Sequence, residues 1–216
     1  PGGLATSAEW RPARSLHKGS WSLFQGGASP EDLLQGAIGD CWLVAAMASL
    51  AEFPGAVEAL FCQRELSPTG RCEVRLHDAR CHAVRLVVDE FIPCHPREWW
   101  DEEGMPLFAR PNGSEAWVLL LEKAFAKLLG SYRELAGGNS CSAFRAFTGE
   151  KRVYVWARSE GEAARVEGEW KRMRLADGED HFQWTPGDEE RRDGEGLWSE
   201  LRKCDRSSFL VAFSMR

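Results

Sequence analysis

Residues 35–42 read Gln-Gly-Ala-Ile-Gly-Asp-Cys-Trp, and the run 43–50 that follows is almost wholly apolar. A cysteine that opens a buried helix has the partial positive charge of the helix N-terminus aimed at its sulfur. That field favours the thiolate, the form that attacks carbonyls. Cys41 is therefore the candidate nucleophile, against the plainer reading of a small buried hydrophobe. Gln35 lies six residues upstream, and its side-chain amide could donate to an oxyanion beside the Cys41 N–H; the plainer reading is an exposed loop glutamine. Gly39 and Asp40 supply a tight turn that exposes the helix start, and Trp42 is expected to wall the cleft. Together these residues describe one half of a thiol-protease site. The other half, a histidine base with its orienting partner, is not evident around His17, His77, His82, His95 or His181. Cys81-His82 and Cys94-His95 do not have the spacing of a structural zinc site.

The elements that must position this segment can be read from periodicity and turn chemistry. A helix is expected over 41–52, interrupted by Pro54-Gly55, with a second short helix over 56–61. Residues 72–78 and 83–92 alternate or run β-branched around Asp78-Ala79-Arg80, which reads as a hairpin. Ser114 is a good N-cap for a helix that starts at Glu115 and stops at Gly130. Residues 1–34 read as an irregular arm with a glycine loop, and 35–157 as the core of the subdomain. Residues 158–196, dense in charge and glycine, read as an insertion: a solvated excursion with a small hairpin, or a docking surface. Residues 197–216 close the subdomain with a short helix over 197–201 and a strand over 209–213.

Bulk properties narrow the function classes. With 216 residues, 44% of them hydrophobic and 28% charged, the chain is globular and can bury a sizeable core. A net charge of −6 and the lack of a basic stripe among the aromatics argue against a nucleic-acid partner. No stretch approaches the ~20 apolar residues of a membrane span. Seven cysteines, an odd number at irregular spacings, fit a reducing, cytoplasmic setting better than a disulfide framework. The start Pro1-Gly2-Gly3, with neither methionine nor a signal-peptide pattern, is that expected of a piece of something longer. The ten tryptophans show no repeat period and read as core filling.

The octet 35–42 resembles the active-site segment of calpains, calcium-dependent cysteine endopeptidases of the papain-like superfamily. Trp10-Arg11-Pro12 and Leu23-Phe24 resemble the family's lead-in, and Val87-Val88-Asp89-Glu90-Phe91-Ile92-Pro93 one of its strands. Residues 113–135, from Gly-Ser-Glu-Ala-Trp to Tyr-Arg-Glu-Leu, resemble its long helical segment. Gly137-Gly138 and residues 144–149, Phe-Arg-Ala-Phe-Thr-Gly, continue in register, so the likeness spans about residues 10–150 with a weaker echo at 197–214.

The resemblance implies an α+β fold, a papain-like half-core rich in helix, with a central buried helix and a small antiparallel sheet. It implies catalysis by Cys41 with Gln35, and substrate contact at Gly138, Gly137 and Trp42, although a glycine pair is also an ordinary turn. It implies one calcium ion (Ca2+) held by the carbonyls of Gln25 and Gly27 and the carboxylates of Asp32 and Glu115. The two acids would otherwise be read as helix caps, and the glutamine at 25 sits in a shortened loop that departs from the family. The implied partners are protein substrates and a downstream subdomain bearing the catalytic His and Asn. The family's Gly-His-Ala-Tyr-like and Asn-Pro-Trp-Gly-like segments are not in this sequence, so the chain by itself is expected not to turn over. The alternative is a non-catalytic calpain-like module that senses calcium or docks a partner.

Overall fold

The computed structural model describes residues 8–16, 19–36, 39–96, 105–158, 170–175 and 184–207. The chain opens with strand β1 (Glu9–Pro12), and β2 (Leu33–Leu34) follows a capped 3₁₀ turn, Pro30–Asp32. Helices α1 (Cys41–Ala51) and α2 (Ala56–Leu60) come next, then strands β3 (Cys72–His77), β4 (Ala83–Val88), β5 (Phe91–Cys94) and β6 (Arg110–Pro111). Helices α3 (Trp117–Leu129) and α4 (Ser140–Thr148) complete the core; β7 (Tyr154–Arg158), β8 (Trp170–Leu175), β9 (Trp184–Arg192) and α5 (Gly194–Arg206) follow. The architecture is α+β. Its strands pair in separate antiparallel pieces, β1 with β5, β2 with β6, β3 with β4, and a three-stranded sheet in the order β7-β8-β9.

Helix α3 is the buried axis. Trp117, Leu119, Leu120, Leu121 and Phe125 are all but inaccessible to water, because apolar residues occupy nearly every position of its first two turns. Helix α1 presents Leu43, Ala46, Met47 and Leu50 to the same core. Aromatic edges lock the two helices and α4 together, with Trp42 to Phe125 centroids 5.7 Å apart and Phe125 to Phe147 5.8 Å apart.

Several expected boundaries shift for local reasons. The helix expected from Glu115 begins two residues later, because Ser22 and Glu115 form a parallel bridge and the amides of Ala116 and Trp117 donate to Ser22 O and Leu23 O. It stops as expected at Gly130, which takes φ +109°. The run 83–92 is not one strand: the Asp89 carboxylate accepts the Phe91 amide at 2.7 Å, turning the chain so that β5 pairs with β1 and not with β3. The described part of the arm 1–34 is less irregular than its sequence suggests, since β1 and β2 both find partners far along the chain. Within 158–196 the described residues carry two strands of the three-stranded sheet, whose first strand begins earlier, at Tyr154. The helix expected over 197–201 runs from Gly194 to Arg206. Asp193 starts it, accepting Gly196 N–H on its side chain at 2.7 Å. The strand expected over 209–213 lies outside the described residues.

Candidate active site

Cys41 is the first residue of α1, and it is exposed. Trp42 and Leu43, the next two residues, are buried, so the helix N-terminus is anchored while its first side chain faces out. Asp40 holds the N-cap position, and its carbonyl accepts from Leu43 N at 2.8 Å and Val44 N at 3.1 Å. Its side chain caps nothing on the helix; it points into the core, fully buried.

The glycine pair is brought to the turn before the candidate nucleophile. Gly137, at φ +89°, donates its amide to Gly39 O at 3.1 Å. A Cβ on Gly138 would lie 2.4–2.8 Å from the indole of Trp42, so only glycine lets this loop rest on that ring. Ser140 Oγ donates to Trp42 O at 2.9 Å. Trp42 itself lies largely in the core, its Nε1–H bonded to Leu135 O at 2.9 Å, and it serves as a floor beneath Gly138.

Gln35 is exposed and directly follows β2. Its carbonyl accepts from Arg110 Nη2 at 3.4 Å, and β2 pairs with β6 through Leu34↔Arg110. The next residue, Gly36, carries the tightest approach among the described glycines: a Cβ there would sit 1.8 Å from Phe108 O and 2.2 Å from Phe108 C. The segment 108–110 thus forms the platform for the candidate oxyanion donor. Phe108 is in turn stacked on Tyr132, with centroids 4.4 Å apart and planes 11° from parallel.

Three of the four candidate calcium ligands precede β2 in the chain, and Glu115 stands just before α3. Asp32 immediately precedes that strand, and its Oδ2 accepts Ser29 N–H at 2.7 Å and Trp117 Nε1–H at 3.2 Å. Glu115 is buried, one of its oxygens meets no donor, and its carboxyl is pushed upward by burial and by the charges of Asp32 and Glu58, against the stabilising Gln25 N–H. Gly26 and Gly27 take φ +83° and +112°, folding residues 25–28 over these acids. Ala28 N–H donates to Glu58 Oε1 at 3.0 Å, and Glu58 Oε2 is a further buried oxygen without a donor. Among the described residues, no three His, Cys, Asp or Glu side chains close on one point as a ready-made metal cluster. An all-oxygen set of two carboxylates, loop carbonyls and water suits calcium, and the unpaired buried Glu115 oxygen beside Asp32 is the kind of charge such an ion relieves.

Three residues central to this arrangement escaped the sequence reading. Gly36 was hidden among the glycines of its segment. Glu58 had only its place on a short helix as a signal. Glu122 was legible in principle, since it falls three positions after Leu119 and three before Phe125 on the buried face of α3. His77 shares a hydrogen bond with Ala146 O at 3.2 Å, and His82 lies 3.5 Å from the Asp78 carboxylate; His17 and His181 lie outside the described residues.

A family profile described as "Calpain family cysteine protease" matches residues 4–214. The chain belongs to the calpain family of cysteine proteases. This calpain-family chain is 31% identical over 217 aligned residues to the calpain-type cysteine protease DEK1 of Arabidopsis thaliana, covering 98% of the chain and 8% of the relative. It is 40% identical over 128 residues to the calpain-2 catalytic subunit of Gallus gallus, covering 57% of the chain and 17% of that protein. The calpain-2 catalytic subunit of Homo sapiens aligns over the same length at 38% identity. The chain thus spans only 8% and 17% of the length of the first two. Among the described residues, no helix is long and apolar enough to cross a membrane.

Proposed function

We propose that this chain is the nucleophile-bearing half of a calcium-dependent cysteine endopeptidase that cuts proteins at limited sites inside the cell. The observation that carries the reading is the exposed Cys41 at the head of a largely buried helix, in a chain of the calpain family. The Cys41 thiolate attacks the scissile carbonyl carbon. The Gln35 side-chain amide and the Cys41 N–H, one of the amides that helix geometry leaves without an intrahelical partner, receive the oxyanion. An imidazolium supplied by the downstream His/Asn-bearing subdomain gives its proton to the departing amine, and water then hydrolyses the thioester and restores the thiol. The Gly137-Gly138 loop, tied to Gly39, offers bare backbone to an extended substrate. Asp32 and Glu115, with the carbonyls of Gln25 and Gly27, would hold calcium, which supplies positive charge and rigidity there. Asp32 stands three residues before Gln35 on the same strand path, so ordering one orders the other.

The 216-residue chain alone is expected not to cleave peptides, since it lacks the acid that expels the amine. The test uses a polypeptide extended through the downstream subdomain, incubated with an unstructured protein with and without millimolar calcium. Calcium-stimulated cleavage that disappears in Cys41→Ala and weakens in Asp32→Ala supports the reading. Cleavage indifferent to calcium removes the metal site, and no cleavage from a folded protein turns the assignment to the non-catalytic module.

A further inference from the structure

The mechanism above leaves two buried carboxyl groups unused. Asp40 and Glu122 are 0% and 1% exposed, and their carboxyl groups meet at hydrogen-bonding range. Glu122 Oε1 accepts the Ala109 amide at 2.9 Å. Neither oxygen of Asp40 meets an N–H or a hydroxyl donor. Two ionised carboxylates in a dry space repel, and both Asp40 oxygens would lack a donor. A single proton between them removes both problems at once. The other titratable group facing the pair is Tyr132, itself buried with its hydroxyl unpartnered and pushed upward chiefly by burial. Burial and the Asp40 carboxylate both hold the Glu122 carboxyl well above the usual range. Glu122, which already accepts an amide on Oε1, is therefore the group that carries the proton.

We propose that Glu122 is a positioning residue of the active site: as a carboxylic acid it accepts the Ala109 amide and donates to the Asp40 carboxylate. It thereby clamps the nucleophile's turn to the platform that carries Gln35. One side of the clamp is Asp40, adjacent to Cys41. The other is Ala109, adjacent to Phe108, whose carbonyl Gly36 touches so closely that no side chain fits between. One acid thus sets the spacing of nucleophile and oxyanion donor. The inference rests on the reading of Cys41 and Gln35 as nucleophile and oxyanion donor.

The test measures iodoacetamide alkylation of Cys41 in the 216-residue chain by peptide mass spectrometry, with exposed Cys62 as internal reference. Glu122→Gln keeps both contacts, its carbonyl to Ala109 and its NH₂ to Asp40, and is expected to alkylate at the wild-type rate within about twofold. Glu122→Ala is expected to slow Cys41 on the order of tenfold and leave Cys62 unchanged. Infrared difference spectra of wild type against Glu122→Gln at neutral pH should show one protonated-carboxyl carbonyl band lost in the variant. If Glu122→Ala does not fold, the Gln variant and the infrared band still decide. A Gln variant as slow as the Ala variant, an unaffected Ala variant, or no such band overturns the clamp. Wild-type Cys41 reacting no faster than Cys62 instead overturns the nucleophile reading, and the band alone then judges the acid pair.

Discussion

Replacing Gly36 by alanine should disable the site while leaving Cys41 itself intact. The new Cβ would stand 1.8 Å from Phe108 O, against the 3.4 Å at which ordinary contact begins. The backbone must therefore yield by about 1.6 Å. Phe108 cannot retreat easily, because it is buried and stacked on Tyr132 and its neighbour Ala109 is bonded to Glu122. Gln35 and its loop move instead. Overpacking of this kind costs about 1–3 kcal/mol, which for a domain of this size lowers Tm by roughly 2–12 °C. With Gln35 as the proposed oxyanion donor, its displacement by more than an ångström should lower kcat by about 10²–10³ in a polypeptide extended through the downstream subdomain. The natural control is Gly39→Ala, whose Cβ would meet nothing within 4 Å; its Tm should match wild type. The assay pairs thermal unfolding with peptide hydrolysis. Equal Tm and equal kcat in Gly36→Ala and wild type would refute the claim that Phe108 supports the oxyanion loop.

Other perturbations follow from the same geometry. Gly138→Ala sets a Cβ against the Trp42 indole and should raise KM by lifting the loop proposed to meet substrate, with kcat less affected; steady-state kinetics separates the two. Adding millimolar calcium to the 216-residue chain should raise Tm, and Asp32→Ala should abolish that shift while costing about 1–2 kcal/mol through its lost cap. Because the Glu122 carboxyl is raised on folding, the folded state binds a proton that the unfolded state has released above the usual carboxyl range. Wild-type stability should therefore fall as pH rises from that range towards the folded value, and chemical denaturation of Glu122→Gln should show a flatter profile. Phe125→Ala removes the ring that meets both Trp42 and Phe147 and should cost about 3–5 kcal/mol in equilibrium unfolding.

What the chain disclosed before any coordinates was local. Helix α1 begins at Cys41 as expected because an apolar run follows a Gly-Asp turn, and α3 stops where Gly130 can take a positive φ. The α+β class and the family were legible because several motifs recur in register along the chain. The pairings of β1 with β5 and β2 with β6 were not, since partners more than seventy residues apart leave no local period. The same holds for the supports of the site. Gly36 matters through a carbonyl seventy-two positions away, and Asp40 through an acid on another helix. Spacing reveals chemistry carried by one segment, but not the contacts that hold two segments at the right distance.

The central claim is that Cys41 is the nucleophile of an acyl-transfer site. The most direct measurement offers the 216-residue chain an activated peptide ester, whose leaving group needs no protonation, and locates the product by mass spectrometry. A burst of one equivalent is expected, with acylation confined to Cys41, little turnover afterwards, and no cleavage of the corresponding amide. Acylation spread over Cys62 and other exposed groups, or a Cys41→Ala chain that gives the same burst, would contradict it.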